Sequence, residues 1–313
     1  MRFRDQLPQL DGRPFLTDGG IETVLIFEEG IELPAFAAFD LLKDEAGTET
    51  LRRYYEPYVA EAAKRRLGFV AESPTWRASP RWASELGYNV DELDAFNRRA
   101  IALMEELRAE HPLVVISGCV GPSDDGYNPK QRLSAEAAEA YHSTQIATFA
   151  GTAADMVTAI TMTYAEEAIG VCRAAVGAGL PVVISFTVET DGRLPSGQTL
   201  ADAIAQVDAE TGAAPAYYMI NCAHPTHFDT VLGDETIRER VRGLRANASA
   251  LSHAELDEAT ELDDGDPVAL ADAHLRLERS LPAVRIVGGC CGTDSRHVAA
   301  LWRDRAGAGG ARA

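Results

Sequence analysis

Eight short apolar runs, separated by longer amphipathic stretches, constrain the fold more than any other feature of the sequence. They are FLTDGG (15–20), GFVAESPTW (68–76), LVVISGCVGP (113–122), MVTAITMTY (156–164), PVVISFTVE (181–189), AYYMINCAHP (216–225), RGLRANAS (242–249) and VRIVGGCCGT (284–293). Each is β-rich and nearly continuous in its apolar residues, as expected of strands buried on both faces of a parallel sheet. The stretches between them read as helices. Residues 49–66 place Leu51, Tyr54, Tyr55, Tyr58 and Val59 at helical spacing; 134–151 open on Ser134 with Glu136 in the first turn; 166–179 stop at Gly177 and Gly179. Eight strand–helix units in 313 residues predict an α/β chain folded as a single (β/α)8 TIM barrel. An open doubly wound sheet would want a nucleotide-binding turn after its first strand, and DGGIET lacks the G-x-G-x-x-G spacing. No linker or repeat divides the chain. Residues 1–306 are therefore expected to form the barrel, with 249–267 a surface loop or short helix and 307–313 a disordered tail.

Charge narrows the partners. A net charge of −19 argues against nucleic acid and anionic membrane surfaces, both of which would be repelled. No run approaches the roughly 18 apolar residues of a membrane span, and the N-terminal MRFRDQLPQLDGRPFL has no apolar core of a secretory signal. Five thinly spread cysteines suit a reducing compartment better than a disulfide scaffold, so the chain is expected to be cytoplasmic and to act on small molecules.

In a parallel barrel, chemistry collects at the carboxyl ends of the strands. Those ends carry Asp18, Gly19, Gly20 and Glu22; Glu72 through Trp76; Gly121 and Pro122; Glu189; Asn221 and Cys222; Asn247; and the pair Cys290 and Cys291. The adjacent cysteines allow three readings: a vicinal disulfide, two small buried residues, or metal ligands. Neighbouring side chains on a regular strand point to opposite faces, so both can reach one ion only if the backbone leaves strand geometry. Gly288, Gly289 and Gly292 supply that freedom. Cys222 falls independently at the same rim, and three thiolates with a fourth position open make a catalytic type of zinc site. His224 and His227 follow closely and suit loop structure or substrate contact. Cys119, on another strand, and Cys172, within a helix, are expected to be dispensable.

Asp18-Gly19-Gly20, Asn221-Cys222 and Gly288-Gly289-Cys290-Cys291-Gly292-Thr293 together resemble the homocysteine S-methyltransferase family, over about residues 14 to 300. The resemblance implies a barrel in which Cys222, Cys290 and Cys291 hold zinc, the acceptor thiol takes the fourth position, and Asp18 helps hold the amino acid. Donors in that family include S-methylmethionine, betaine and, with a corrinoid, methyltetrahydrofolate. An onium donor is expected here, without bound cobalamin or folate. Asp18, Glu22 and Asn221 are read as catalytic, and Asp18, Gly19, Gly20, Glu72, Trp76, Thr161, Glu189 and Asn247 as substrate-binding. Phe186, Trp76 and Tyr164 are candidate walls for the cationic methyl group. One position departs from the family: where an acid and a threonine end strand four, this chain has Ile160 and Thr161. Isoleucine cannot bind an ammonium group, so Glu22, Glu72 or Glu189 takes that role or the acceptor thiol is a different one. The competing readings are a zinc-free phosphate-binding barrel, a lyase or isomerase using the loop after strand eight, and a non-catalytic barrel awaiting a corrinoid or folate partner.

Overall fold

The computed structural model describes residues 2–111, 113–127 and 129–303. The expected tail at 307–313, and the last residues assigned to the barrel, lie outside them. Eight strands follow one another around a closed barrel: β1 (Phe15–Leu16), β2 (Gly68–Glu72), β3 (Val114–Val120), β4 (Met156–Met162), β5 (Val182–Phe186), β6 (Pro215–Asn221), β7 (Val241–Ala246) and β8 (Ile286–Gly289). All pairings are parallel, and β1 closes the ring by pairing with both β2 and β8. Helices Glu45–Arg65, Val90–Glu110, Ala135–Ala150, Ala165–Gly177, Leu200–Thr211, Pro267–Ser280 and Ser295–Leu301 pack around it. The expected (β/α)8 architecture is the one observed. The 249–267 segment contains the short helix His253–Glu258, started by a capping box between Ser252 and Glu255. No helix among the described residues is long and apolar enough to cross a membrane.

The strand period of two sorts side chains between barrel interior and helix layer. Outward residues such as Leu16, Phe69, Ala71, Val114, Ile116 and Val157 join the large apolar core shared with the helices. Inward residues at the amino-terminal end form a separate plug: Phe15, Val70, Val115, Met156, Val183, Tyr217 and Ile286, with Leu7 from the N-terminal segment. Full burial of each such aliphatic or aromatic side chain contributes about 1.5–3 kcal/mol. Two residues further along the strands, the same alternation places Glu72, Ser117, Thr158, Ser185 and Arg245, all buried. The interior thus changes from apolar to polar as the strands rise towards their carboxyl ends. That change determines where the site sits.

Candidate active site

Three sulfurs meet at the carboxyl rim. The Sγ atoms of Cys222, Cys290 and Cys291 lie within 4.8 Å of one another. Cys222 and Cys290 are joined as a disulfide, and Cys291 Sγ stands 4.0 Å from that of Cys222. The adjacent pair is therefore not bonded to itself; its first member reaches across to β6. Both lie just past the end of β8, in a turn closed by Gly292 at φ +76°, where a side chain would be strained. The turn is pinned on both sides: Cys290 N–H donates to Ala246 O (2.9 Å), Ala248 N–H donates to Cys291 O (3.1 Å), and Thr293 Oγ1 donates to Cys290 O (2.7 Å). The β1 turn packs directly against it. A Cβ on Gly20 would sit 2.5 Å from Cys290 O, and one on Gly19 2.5 Å from Thr293 O. The two glycines of Asp18-Gly19-Gly20 are required by that close approach.

Two residues of the site hold backbone conformations that side chains disfavour: Cys222 at φ +52° and Thr161 at φ +66°. For a β-branched residue this is a rare state, reached where the β4–β5 register shifts between Ala159 and Met162. Asn221 holds it. Its Oδ1 accepts from Thr161 N–H (3.0 Å) and Ser185 Oγ (2.6 Å), and its Nδ2 donates to Thr161 Oγ1 (2.8 Å). The carbonyl of Cys222 is met by Asn247 Nδ2 (3.1 Å) and His253 Nε2 (2.7 Å). Strained backbone with this many partners marks functional sites.

Buried charges surround the sulfurs. Asp18 is ion-paired with Arg245 (2.8 Å) and accepts from Tyr54 Oη (3.1 Å). Arg245 also donates to Gly289 O (3.0 Å) and Gly19 O (3.1 Å), so one guanidinium ties the ends of β1, β7 and β8 together. Burial works against that charge, but Asp18 and Glu72 outweigh it and hold Arg245 above its ordinary value. Burial pushes the Asp18 carboxyl up against the pull of Arg245. Glu72 is pushed up to about 7 by burial, again against Arg245. Glu22 reaches about 7, chiefly by burial with repulsion from Asp18 added.

These groups face a cavity of about 410 Å³, of the size small-molecule sites have. Of the residues expected from sequence, Asp18, Gly19, Gly20, Glu22, Glu72, Trp76, Thr161 and the three cysteines line it, as does Ile160. Five others are placed elsewhere. Asn221 stands behind the sulfurs, its Nδ2 3.9 Å from Cys290 Sγ. Asn247 braces the Cys222 carbonyl. Glu189 pairs with His253 Nδ1 (3.1 Å) outside the cavity wall. Phe186 and Tyr164 are ordinary barrel packing: Phe186 stacks on Tyr218, and Tyr164 Oη accepts from Leu133 N–H. Aromatic wall comes instead from Tyr55, Tyr127 and Phe36 beside Trp76. Tyr127 is the more intimate: its Oη is 3.3 Å from Cys291 Sγ and its ring stacks on His253 at 4.1 Å. Cys119, expected to be dispensable, also lines the cavity. Tyr127 belongs to an irregular loop and left no periodic signal. Arg245 did leave one: the second of two arginines in RGLRANAS, in phase with the site-facing end of its strand.

Comparison with known proteins agrees with this geometry. Residues 15–304 match the sequence profile of the family described as Homocysteine S-methyltransferase. Among solved structures, the chain is similar to the homocysteine methyltransferase MmuM from Escherichia coli. Its oxidised form aligns with TM-score 0.73 at 20% identity, covering 93% of this chain and 95% of that one. The metallated form gives 0.71 at 18% over 93% and 96%, and the apo form 0.67 at 20% over 95% and 98%. Likeness at such identity speaks for the fold, and the profile match speaks for the family. A closed (β/α)8 barrel, the Asp-Gly-Gly turn packed on a Cys-Cys turn, and a profile spanning nearly the whole chain lead to one conclusion: the chain belongs to the homocysteine S-methyltransferase family and is a methyltransferase.

Proposed function

We propose that this enzyme transfers a methyl group from an onium donor, of the S-methylmethionine or betaine kind, to a thiol at the Cys222, Cys290 and Cys291 cluster. Homocysteine is the proposed acceptor and methionine the product, which makes the reaction a step of methionine biosynthesis. The observation that carries this reading is the convergence of three sulfurs in the wall of a cavity that also presents carboxylates and aromatic rings.

The donor set fits zinc. Three cysteine sulfurs within 4.8 Å of one another, with no fourth protein ligand in the cluster among the described residues, match a zinc site that keeps a position for substrate. Cys222 and Cys290 must be reduced from their disulfide for all three to serve as thiolates, which favours a reducing cytoplasm. Bound zinc supplies a Lewis acid that lets a thiol ionise at neutral pH.

The chain's own residues supply the rest. Asp18, Glu22, Glu72 and Asp125 outnumber Arg77 and Arg245 in the cavity wall. The resulting field attracts a cationic donor and repels phosphate, against the lyase reading. Trp76, Tyr127, Tyr55 and Phe36 offer ring faces to an onium methyl group. In the transfer, the acceptor sulfur's electron pair forms a bond to the methyl carbon. The carbon's bond to the onium sulfur or nitrogen breaks, and the donor leaves neutral with that pair. No proton moves at the carbon, so the residues' task is alignment and exclusion of water. Asn221 positions Thr161 and the sulfurs, while Asn247 and Glu189, through His253, hold the Cys222 carbonyl in place. With Ile160 in the wall, an acceptor's ammonium group falls to other cavity carboxylates, Glu22 and Glu72 among them.

The test is metal analysis of the reduced protein alongside a screen of thiols against S-methylmethionine, betaine and related onium donors. One zinc per chain, lost in Cys290→Ser, and methylation of homocysteine are expected. Stoichiometric zinc retained in that variant, or failure of every thiol with every onium donor, would overturn the proposal.

A further inference from the structure

Arg77 follows Trp76 at the end of the β2 segment and lines the cavity. Its guanidinium is held between two indoles, with Cζ 3.6 Å from the Trp82 ring centroid and 4.6 Å from that of Trp76. Trp76 is itself fixed, its Nε1 donating to Ile160 O at 3.0 Å. The arginine is thus pre-positioned, and the isoleucine that replaces the family's acid stands against the same tryptophan. Yet its Nε and Nη1 are shielded from solvent without a hydrogen-bond partner among the described residues. Burial works against its charge, and the nearby carboxylates Asp125 and Glu22 only partly offset that.

An unmet buried donor on a charged group is costly, and stacking on indole offsets only part of that. Arg245, in the same wall, also has an unmet Nη1 but differs in having Asp18 against it at 2.8 Å. A planar guanidinium fixed by stacking is suited to a carboxylate in a way lysine is not. We propose that Arg77 anchors a carboxylate of the substrates, so that this site grips an anionic group where an acid at position 160 would have gripped an ammonium. The methyl-transfer reading tells which molecules carry that carboxylate; the anion site itself stands on Arg77.

The experiment uses three thiols of similar chain length: homocysteine, 4-mercaptobutyrate (carboxylate only) and 3-mercaptopropylamine (ammonium only). Each is paired with S-methylmethionine and with trimethylsulfonium, a donor without a carboxylate. With trimethylsulfonium, 4-mercaptobutyrate should match homocysteine within about threefold in kcat/KM, and the amine thiol should be about 30-fold poorer. Arg77→Met should raise KM for the carboxylate thiols by about 30-fold and leave the amine thiol within about threefold; Arg77→Lys should fall between. If the variant's loss appears only with S-methylmethionine, Arg77 holds the donor's carboxylate, which also supports the site. A preference for the amine thiol, or an Arg77→Met protein with every KM within about twofold of wild type, overturns it. Calorimetric binding of 4-(methylthio)butyrate to the folded wild type and both variants reads the anion site without turnover. Carboxylate binding that depends on Arg77, with no thiol methylated, would keep this inference and sink the proposed function. Methylation indifferent to Arg77 would do the reverse.

Discussion

The two ends of this barrel solve the same problem, a buried aspartate, in opposite ways. Asp155, entering β4 at the amino-terminal end, is fully enclosed. It accepts from Arg2 N–H (2.9 Å), Phe3 N–H (2.8 Å) and Ile116 N–H (3.0 Å) and from the Arg108 guanidinium. Nothing about it is left over for a ligand. It clamps the N-terminal segment under the apolar plug of Phe15, Val70, Met156 and Tyr217. Asp18, leaving β1 at the carboxyl end, is as deeply buried but faces the cavity, amid neighbours that are incompletely satisfied. Among the described residues, Glu72 Oε2 and Arg245 Nη1 have no hydrogen-bond partner, and Cys222 and Thr161 are strained. Saturated partners make the lower end a stability element, and unsaturated ones leave the upper end free to bind. Barrels in general divide labour this way, and here the division can be read off two residues of one type.

The sharpest way to break that comparison is to remove one group from each end. Cys290→Ser, studied reduced, should abolish zinc binding and lower kcat/KM on the order of a thousandfold. Its urea midpoint without metal should stay close to wild type, because the apolar plug and helix layer are untouched. Metal content, kinetics and denaturation on one preparation decide it. A large loss of metal-free stability would mean that the rim carries the fold after all. Asp155→Ala should do the converse. Stripping a carboxylate from Arg108 and three backbone donors should cost about 3–5 kcal/mol. The fraction that remains folded should turn over normally, as judged by activity per folded molecule.

The same contrast explains what could be read from the sequence. Strands apolar on both faces advertise themselves, so all eight were legible, and the rim cysteines and the Asp-Gly-Gly turn followed from the strand ends. β1 was over-extended, to 15–20, because its pairing stops at Leu16 where the chain turns under the Cys-Cys loop. Which rim residues face inward was less legible. Glu189 sits at a strand end like Glu72, yet it turns away to His253, 64 residues distant in sequence. A strand end gives the position of a side chain but not its partner. Arg245 could have been suspected from its phase, since a barrel interior tolerates a charge only where another answers it. Arg77 and Tyr127 lie in connecting segments, where no periodicity marks the side that faces the cavity.

Glu72 offers a pH test that separates the ends by a smaller amount. Its folded pKa of about 7, raised by burial from an ordinary 4.5, means that the folded state binds more protons than the unfolded one between those values. Stability therefore falls as pH rises from about 4.5 through 7, by roughly 3 kcal/mol if Glu72 acts alone. Glu72→Gln removes the titration. Urea unfolding at pH 5 and pH 8 should show the variant gaining on wild type by about that amount at the higher pH. An unchanged gap would mean that Arg245 already keeps Glu72 ionised in the fold, as completely as Arg108 and the backbone answer Asp155.

The smallest expected change in stability carries the most specific information. Thr161→Gly relieves a backbone state costing about 1–3 kcal/mol for a side-chain-bearing residue. Against that stand the entropy of a new glycine, about 0.5–1 kcal/mol, and the lost bond from Asn221 Nδ2 to Thr161 Oγ1, about 1 kcal/mol. These nearly cancel, so denaturation should move by less than about 1 kcal/mol. Activity should not be so forgiving. Asn221, 3.9 Å from Cys290 Sγ, would lose a partner that fixes its amide, and a misplaced group near the reacting centre can cost about a hundredfold. At the lower end the same kind of truncation behaves oppositely. Val70→Ala, inside the apolar plug, should cost about 1–3 kcal/mol in lost burial and leave kcat/KM unchanged. If Thr161→Gly instead kept full activity, the strain at Thr161 would be a by-product of the β4–β5 register shift, and Asn221 would need no help from it to hold the sulfurs in place.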